Sequence, residues 1–150
     1  WFNRVFTLSH ELAHAIDPCE IKLAKIEPAA YRRLARCFYQ QKIIHKDPEE
    51  HRCGSKNQLG EAFADWMAAE MTAVAMEHYG AKLKTHEDFV HSAINAVRDL
   101  CDQESWVAEG DSDLYPDPAI RIAKIFAHNP KIRKFLQCEV DTNEMPYCSM

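Results

Sequence analysis

Glycine is scarce in this chain, with four in 150 residues. A turn-rich β fold needs glycine at its tight reversals. The scarcity, together with abundant Ala, Leu, Ile and Met, predicts helices and little or no sheet. No apolar run approaches the length of a membrane span, so no membrane segment is expected. No block of like charges occurs and the net charge is −5. A nucleic-acid partner would require a basic face, and none is legible. The six cysteines do not fall into CxxC pairs, which argues against a cysteine zinc site. They read instead as two or three disulfides in an oxidising compartment: extracellular, periplasmic or cell-surface. Buried free thiols are the other reading.

No repeat, linker or charged-then-apolar signal segment is present, and one domain spanning 1–150 is expected. The chain opens on Trp1, nine residues ahead of its main motif. The expectation is a fragment or processed chain, truncated at its N-terminus.

The motif is His10-Glu11-Leu12-Ala13-His14. Two histidines four apart on a helix project from one face and can share one tetrahedral zinc ion. Glu11 stands beside the first histidine and can hold a zinc-bound water.

Around this motif the periodicity predicts a chain of helices. The first covers 2–16, with Phe2, Val5, Phe6, Ser9, Ala13 and Ile16 as its buried stripe and Leu12 and Ala15 adding to the packing. Pro18 ends it. A second helix runs from Pro28 to about 44, with Tyr31, Leu34, Ala35, Phe38 and Tyr39 apolar and Arg32, Arg33 and Arg36 on a solvated side. The polar stretch 45–57 is a loop whose His45 and His51 read as surface histidines. A long helix over 58–79 ends at Gly80. Leu59, Phe63, Trp66, Met67, Met71 and Val74 form its expected core stripe. Thr85 caps a helix over 86–101, with Phe89, Val90, Ala93, Ile94, Val97 and Leu100 apolar. Shorter helices start at Pro118 and Pro130.

Two histidines leave a tetrahedral shell incomplete, and a catalytic site adds one protein ligand and an open position. Glu61 is the candidate, 50 residues after Glu11 on the long helix. Asp65 lies one turn further and can accept the other N–H of a histidine ligand; Asp17, three residues past His14, is a second candidate for that task. Carboxylates in the apolar part of a helix are costly to bury unless paired or bound to metal.

His-Glu-x-x-His followed by Glu-x-x-x-Asp resembles the glutamate-ligand zinc metallopeptidases, the gluzincins. It is not similar to the metzincins, whose glycine and third histidine are matched here by Asp17 and Glu20. The nearest resemblance is to the neprilysin family. Its first motif carries an aspartate at the position of Asp17, and its second resembles Gly60-Glu61-Ala62-Phe63-Ala64-Asp65. Its C-terminus is similar to the segment from Tyr115 through Arg121, Asn129, Phe135, Cys138, Met145-Pro146 and Cys148. Residues 20–57 and 80–110 match little of it.

The resemblance implies a mainly α, zincin-like catalytic subdomain in which the HExxH helix packs on the helix of the glutamate ligand. It implies one zinc ion on His10, His14 and Glu61, with Glu11 as general base, Asp65 partnering His10 and Asp17 partnering His14. Arg121 matches an arginine that binds a substrate carbonyl. Where the family has a histidine that stabilises the transition state, this chain has Tyr115. Two readings of that residue stand: an oxyanion donor, or a loop tyrosine packed for structure. The family's substrate-binding edge strand lies upstream of the first motif and has no counterpart here.

The function expected is a zinc metalloendopeptidase acting on peptides or proteins, with an upstream portion of the same protein as a further partner. The alternative is a zinc-bound, inactive binding module on the same scaffold. A chance motif on a disulfide-stabilised helical domain is a third reading, and it predicts no stoichiometric metal. For the cysteines, the resemblance suggests Cys53–Cys148, with Cys101–Cys138 and Cys19–Cys37 following.

Overall fold

In the computed structural model of the chain, the residues described are 1–19, 29–49, 58–83, 85–102, 115–138 and 146–150. These form six α-helices and no strand, as the scarcity of glycine predicted.

The longest helix, α3 (Leu59–Tyr79), is the centre of the packing. Its alanines at 62, 64, 68, 69 and 73 are fully buried, as are Asp65 and Thr72. Small side chains let neighbouring backbones approach from several directions, so α3 is buried on most of its surface rather than along one stripe. Within the expected stripe, Leu59, Phe63 and Trp66 are buried, but Met71 is exposed.

The first helix, α1 (Phe2–His14), packs along α3 and then against α4 (His86–Asp102). Phe2, Phe6 and Ala13 point into this core. Leu8, Leu12 and Ile16 point out of it, against the expectation that Leu12 and Ile16 are packed. At 100° per residue Leu8 and Leu12 fall on the side of the helix away from Phe6 and Ala13, and Ile16 lies in the turn beyond the helix end.

Helix α2 (Ala29–Gln40) buries Tyr31, Leu34, Ala35 and Phe38, while Tyr39 stays exposed. It stops short of the expected residue 44. Lys42 adopts a positive φ of 56°, and Ile43 N–H donates back to the Phe38 carbonyl. That turn carries Ile43 and Ile44 into the core. The arginine side is solvated as expected, with Arg36 pairing to Glu49 at the surface.

Thr85 caps α4. Its Oγ1 accepts from Asp88 N–H at 3.1 Å, and Asp88 Oδ2 accepts from Thr85 N–H at 3.0 Å. Ala93, Ala96, Val97 and Leu100 face inward, but Ile94 is exposed. Helix α5 (Pro118–Ile120), capped by Asp117, runs directly into a π-helical turn over Arg121–Phe126. Helix α6 (Pro130–Leu136) is capped by Asn129, whose Oδ1 accepts from Lys131 and Ile132 N–H.

The C-terminal residues strap across α2 and α3. Cys148 is disulfide-bonded to Cys37, its carbonyl accepts from Trp66 Nε1, and the Pro146 carbonyl accepts from Gln41 Nε2. All three expected pairings fall on this geometry. Cys148 and Cys37 are taken by each other, so neither Cys53–Cys148 nor Cys19–Cys37 exists, although Cys19 is disulfide-bonded. Cys138 is free and exposed, so Cys101–Cys138 does not form. The strap places Cys148 over α2, within reach of Cys37, a proximity that spacing along the chain does not encode. Among the described residues, no helix is long and apolar enough to cross a membrane.

Candidate metal centre

The last two turns of α1 and the first turn of α3 lie side by side. His10 and His14 project from α1 towards Glu61, the third residue of α3. Their Nε2 atoms are 3.2 Å apart. Glu61 Oε2 is 3.2 Å from His10 Nε2, and Glu61 Oε1 is 3.6 Å from His14 Nε2. Among the described residues this is the one group of three donors close enough to share a cation.

The donor set fits zinc. Tetrahedral zinc with bonds of about 2.0–2.2 Å has donor–donor edges of roughly 3.3–3.6 Å, close to the separations found. Two imidazole nitrogens meeting at 3.2 Å also need something between them. Either one carries a proton, or both lone pairs face a cation. Glu61 Oε2 is buried and accepts no hydrogen bond of good geometry, although His10 Nε2 is within ion-pair distance.

Behind the cluster is a buried polar relay. His10 Nδ1 lies 3.0 Å from Asp65 Oδ1, so an N–H there donates to the carboxylate and leaves Nε2 facing Glu61 and His14. Asp65 Oδ2 accepts from Arg121 Nε at 2.5 Å, and Oδ1 accepts from Nη2 at 2.9 Å. Both side chains are 1% exposed. Arg121 opens the π-helical turn, and the Tyr115 ring lies 5.5 Å from its guanidinium carbon. Gln58, just before α3, donates to the Tyr115 carbonyl and accepts from His45 N–H.

These contacts set the charges. Burial alone would lower the His10 pKa, but hydrogen bonds and charge from Asp65 and Glu61 outweigh it and raise it to about 9. Burial would raise Asp65, but His10 and Arg121 hold it below the usual carboxylate range. Burial would lower Arg121, and Asp65 reverses that.

The structure thus brings together His10, His14, Glu61 and Asp65. Glu11 is exposed on α1 and makes no hydrogen bond or ion pair among the described residues. Asp17 is fully buried. Its Oδ1 accepts from Cys19 N–H at 2.7 Å and Tyr31 OH at 3.0 Å, and its Oδ2 lies against Gly60. Through Tyr31 it ties the end of α1 to α2, beside the start of α3. Arg121 sits on Asp65, a pairing that sequence reasoning missed. The signal was there: an arginine inside the apolar run Ile120-Arg121-Ile122 needs a buried partner, as Asp65 does. His45 is exposed and outside the cluster, and His51 lies outside the described residues. Comparison with family models, curated proteins and solved structures finds no match for the chain.

Proposed function

We propose that this chain is the catalytic part of a zinc metalloendopeptidase with a gluzincin-type, neprilysin-like site. The observation that carries the proposal is the convergence of His10, His14 and Glu61, with donor separations suited to one zinc ion. Zinc bound there supplies Lewis acidity to the attacking water and the scissile carbonyl. Asp65 holds the His10 ring in the tautomer that presents Nε2. Arg121, locked on Asp65, keeps that carboxylate charged and in place. Glu11 takes the proton of the attacking water and passes it to the leaving amine. Tyr115 would meet the developing oxyanion. Peptides or proteins are the substrates, with an upstream portion of the same protein completing the cleft. The Cys37–Cys148 disulfide supports an oxidising location: extracellular, periplasmic or cell-surface.

A specific observation favours a second reading, an inactive zinc-binding module. The Arg121 side chain is 1% exposed, with Nε and Nη2 both on Asp65, which leaves it poorly placed to meet a substrate. One experiment separates the two readings. The purified chain is assayed on a quenched peptide library with and without chelator, alongside Glu11→Gln. The peptidase reading expects chelator-sensitive cleavage, and expects Glu11→Gln to keep zinc while losing at least about a hundredfold in rate. Zinc without cleavage supports the module, and full activity in Glu11→Gln removes Glu11 as the base.

A further inference from the structure

Helix α1 carries a second apolar face. Leu8 and Leu12 are 62% and 59% exposed on one side of it, and Trp1, just before the helix, is 66% exposed with its ring edge-on to Tyr79. Positions 1, 5, 8, 12 and 15 hold Trp, Val, Leu, Leu and Ala. Their alternating spacing of four and three is that of a coiled-coil seam. Arg4 and Glu11, seven apart, flank this seam on one edge. Both are exposed, and neither makes an ion pair or hydrogen bond among the described residues. A helix apolar on both sides is built to be covered on both.

We propose that a second copy of this chain covers the seam, its α1 antiparallel to the first across a two-fold axis. Charge selects both the occupant and the register. In an antiparallel pair, residues on the same edge of the two helices face each other. Setting Val5 against Leu8 of the second copy, and Leu12 against its Trp1, brings Arg4 to Glu11 of the second copy. Symmetry repeats that pair. A slide of one heptad in either direction opposes Glu11 to Glu11 or Arg4 to Arg4. A parallel pairing sets Arg4 beside Ser9 and Glu11 beside Ile16, and makes no ion pair. One arrangement therefore closes the apolar seam and neutralises both charges. On the peptidase reading, it also holds Glu11 under Arg4 of the second copy, so the proton acceptor is masked in the dimer and released on dissociation.

Sedimentation velocity of the whole chain over a range of concentrations tests this. The expected result is a monomer–dimer equilibrium that Leu8→Glu with Leu12→Glu abolishes. Arg4→Glu or Glu11→Arg alone should weaken association about tenfold, because symmetry duplicates each like-charge contact. The double exchange R4E/E11R should restore it to within about threefold. Each variant is checked for native helix content, and the restoration by a second exchange excludes misfolding as the cause. A chain monomeric at every concentration, or a dimer indifferent to the single reversals, overturns the proposal. Zinc content is measured on the same samples. A dimer that obeys the charge exchange without zinc sustains the interface and removes only its link to Glu11.

Discussion

Asp65→Leu should destabilise this fold far more than loss of a surface ion pair would. The carboxylate and the Arg121 guanidinium are each 1% exposed and meet through two hydrogen bonds of 2.5 and 2.9 Å. Removing the carboxylate takes from a buried cation the partner of these two hydrogen bonds, which costs about 3–5 kcal/mol. Arg121→Met should cost less, about 2–3 kcal/mol, because Asp65 keeps His10 as a second donor. In the double variant neither charge remains to be stranded, and the volume is largely kept. Its cost should fall at least about 2 kcal/mol short of the sum of the single changes. The assay is urea denaturation of all four proteins in chelator, comparing midpoints and slopes. Additive costs, or a loss under about 1 kcal/mol for Asp65→Leu, would refute the reasoning that this pair is a coupled, buried anchor.

The remaining predictions concern the metal and the strap. In the metal-free fold, His10 binds its proton more tightly than in the unfolded chain, with its pKa raised from 6.5 to about 9. That proton therefore adds stability that is complete below about pH 6.5 and lost as pH rises through about 9. Zinc competes for the same nitrogen, so apparent zinc affinity should climb about tenfold per pH unit across that window and then level off; chelator competition at stepped pH reads this. Asp65→Asn, which keeps the shape but not the charge, should weaken zinc about ten- to a hundredfold by isothermal titration. The Cys37–Cys148 bond joins residues 111 apart. Replacing both cysteines by serine should lower stability by about 2–4 kcal/mol in denaturant titration, mostly by freeing the unfolded chain.

The helices were legible because their signals are local. Prolines at first turns, the Thr85 cap and the apolar spacing each act within a few residues, and the elements appear where those signals lie. Which face of a helix is buried was less legible. Leu12, Tyr39, Met71 and Ile94 share the polarity of core residues and lie in solvent, because burial depends on where the neighbouring helices run. The convergence of His10, His14 and Glu61 could be anticipated because the cost of burying carboxylates and histidines constrains their surroundings. The Arg121–Asp65 pair, 56 residues apart, follows from the same logic, but the family resemblance points Arg121 to a substrate carbonyl and Asp65 to His10. The disulfide was illegible for a topological reason: the C-terminal strap decides which cysteines meet.

On the proposed function, His10, His14 and Glu61 form one zinc site. Its most direct test is zinc stoichiometry by mass spectrometry on the purified chain, in parallel with His14→Ala, Glu61→Gln and Glu11→Gln. The expected result is one zinc per chain for the parent and for Glu11→Gln, and a loss of at least about a hundredfold in affinity for the other two. Substoichiometric zinc in the parent, or undiminished zinc in both ligand variants, would contradict it.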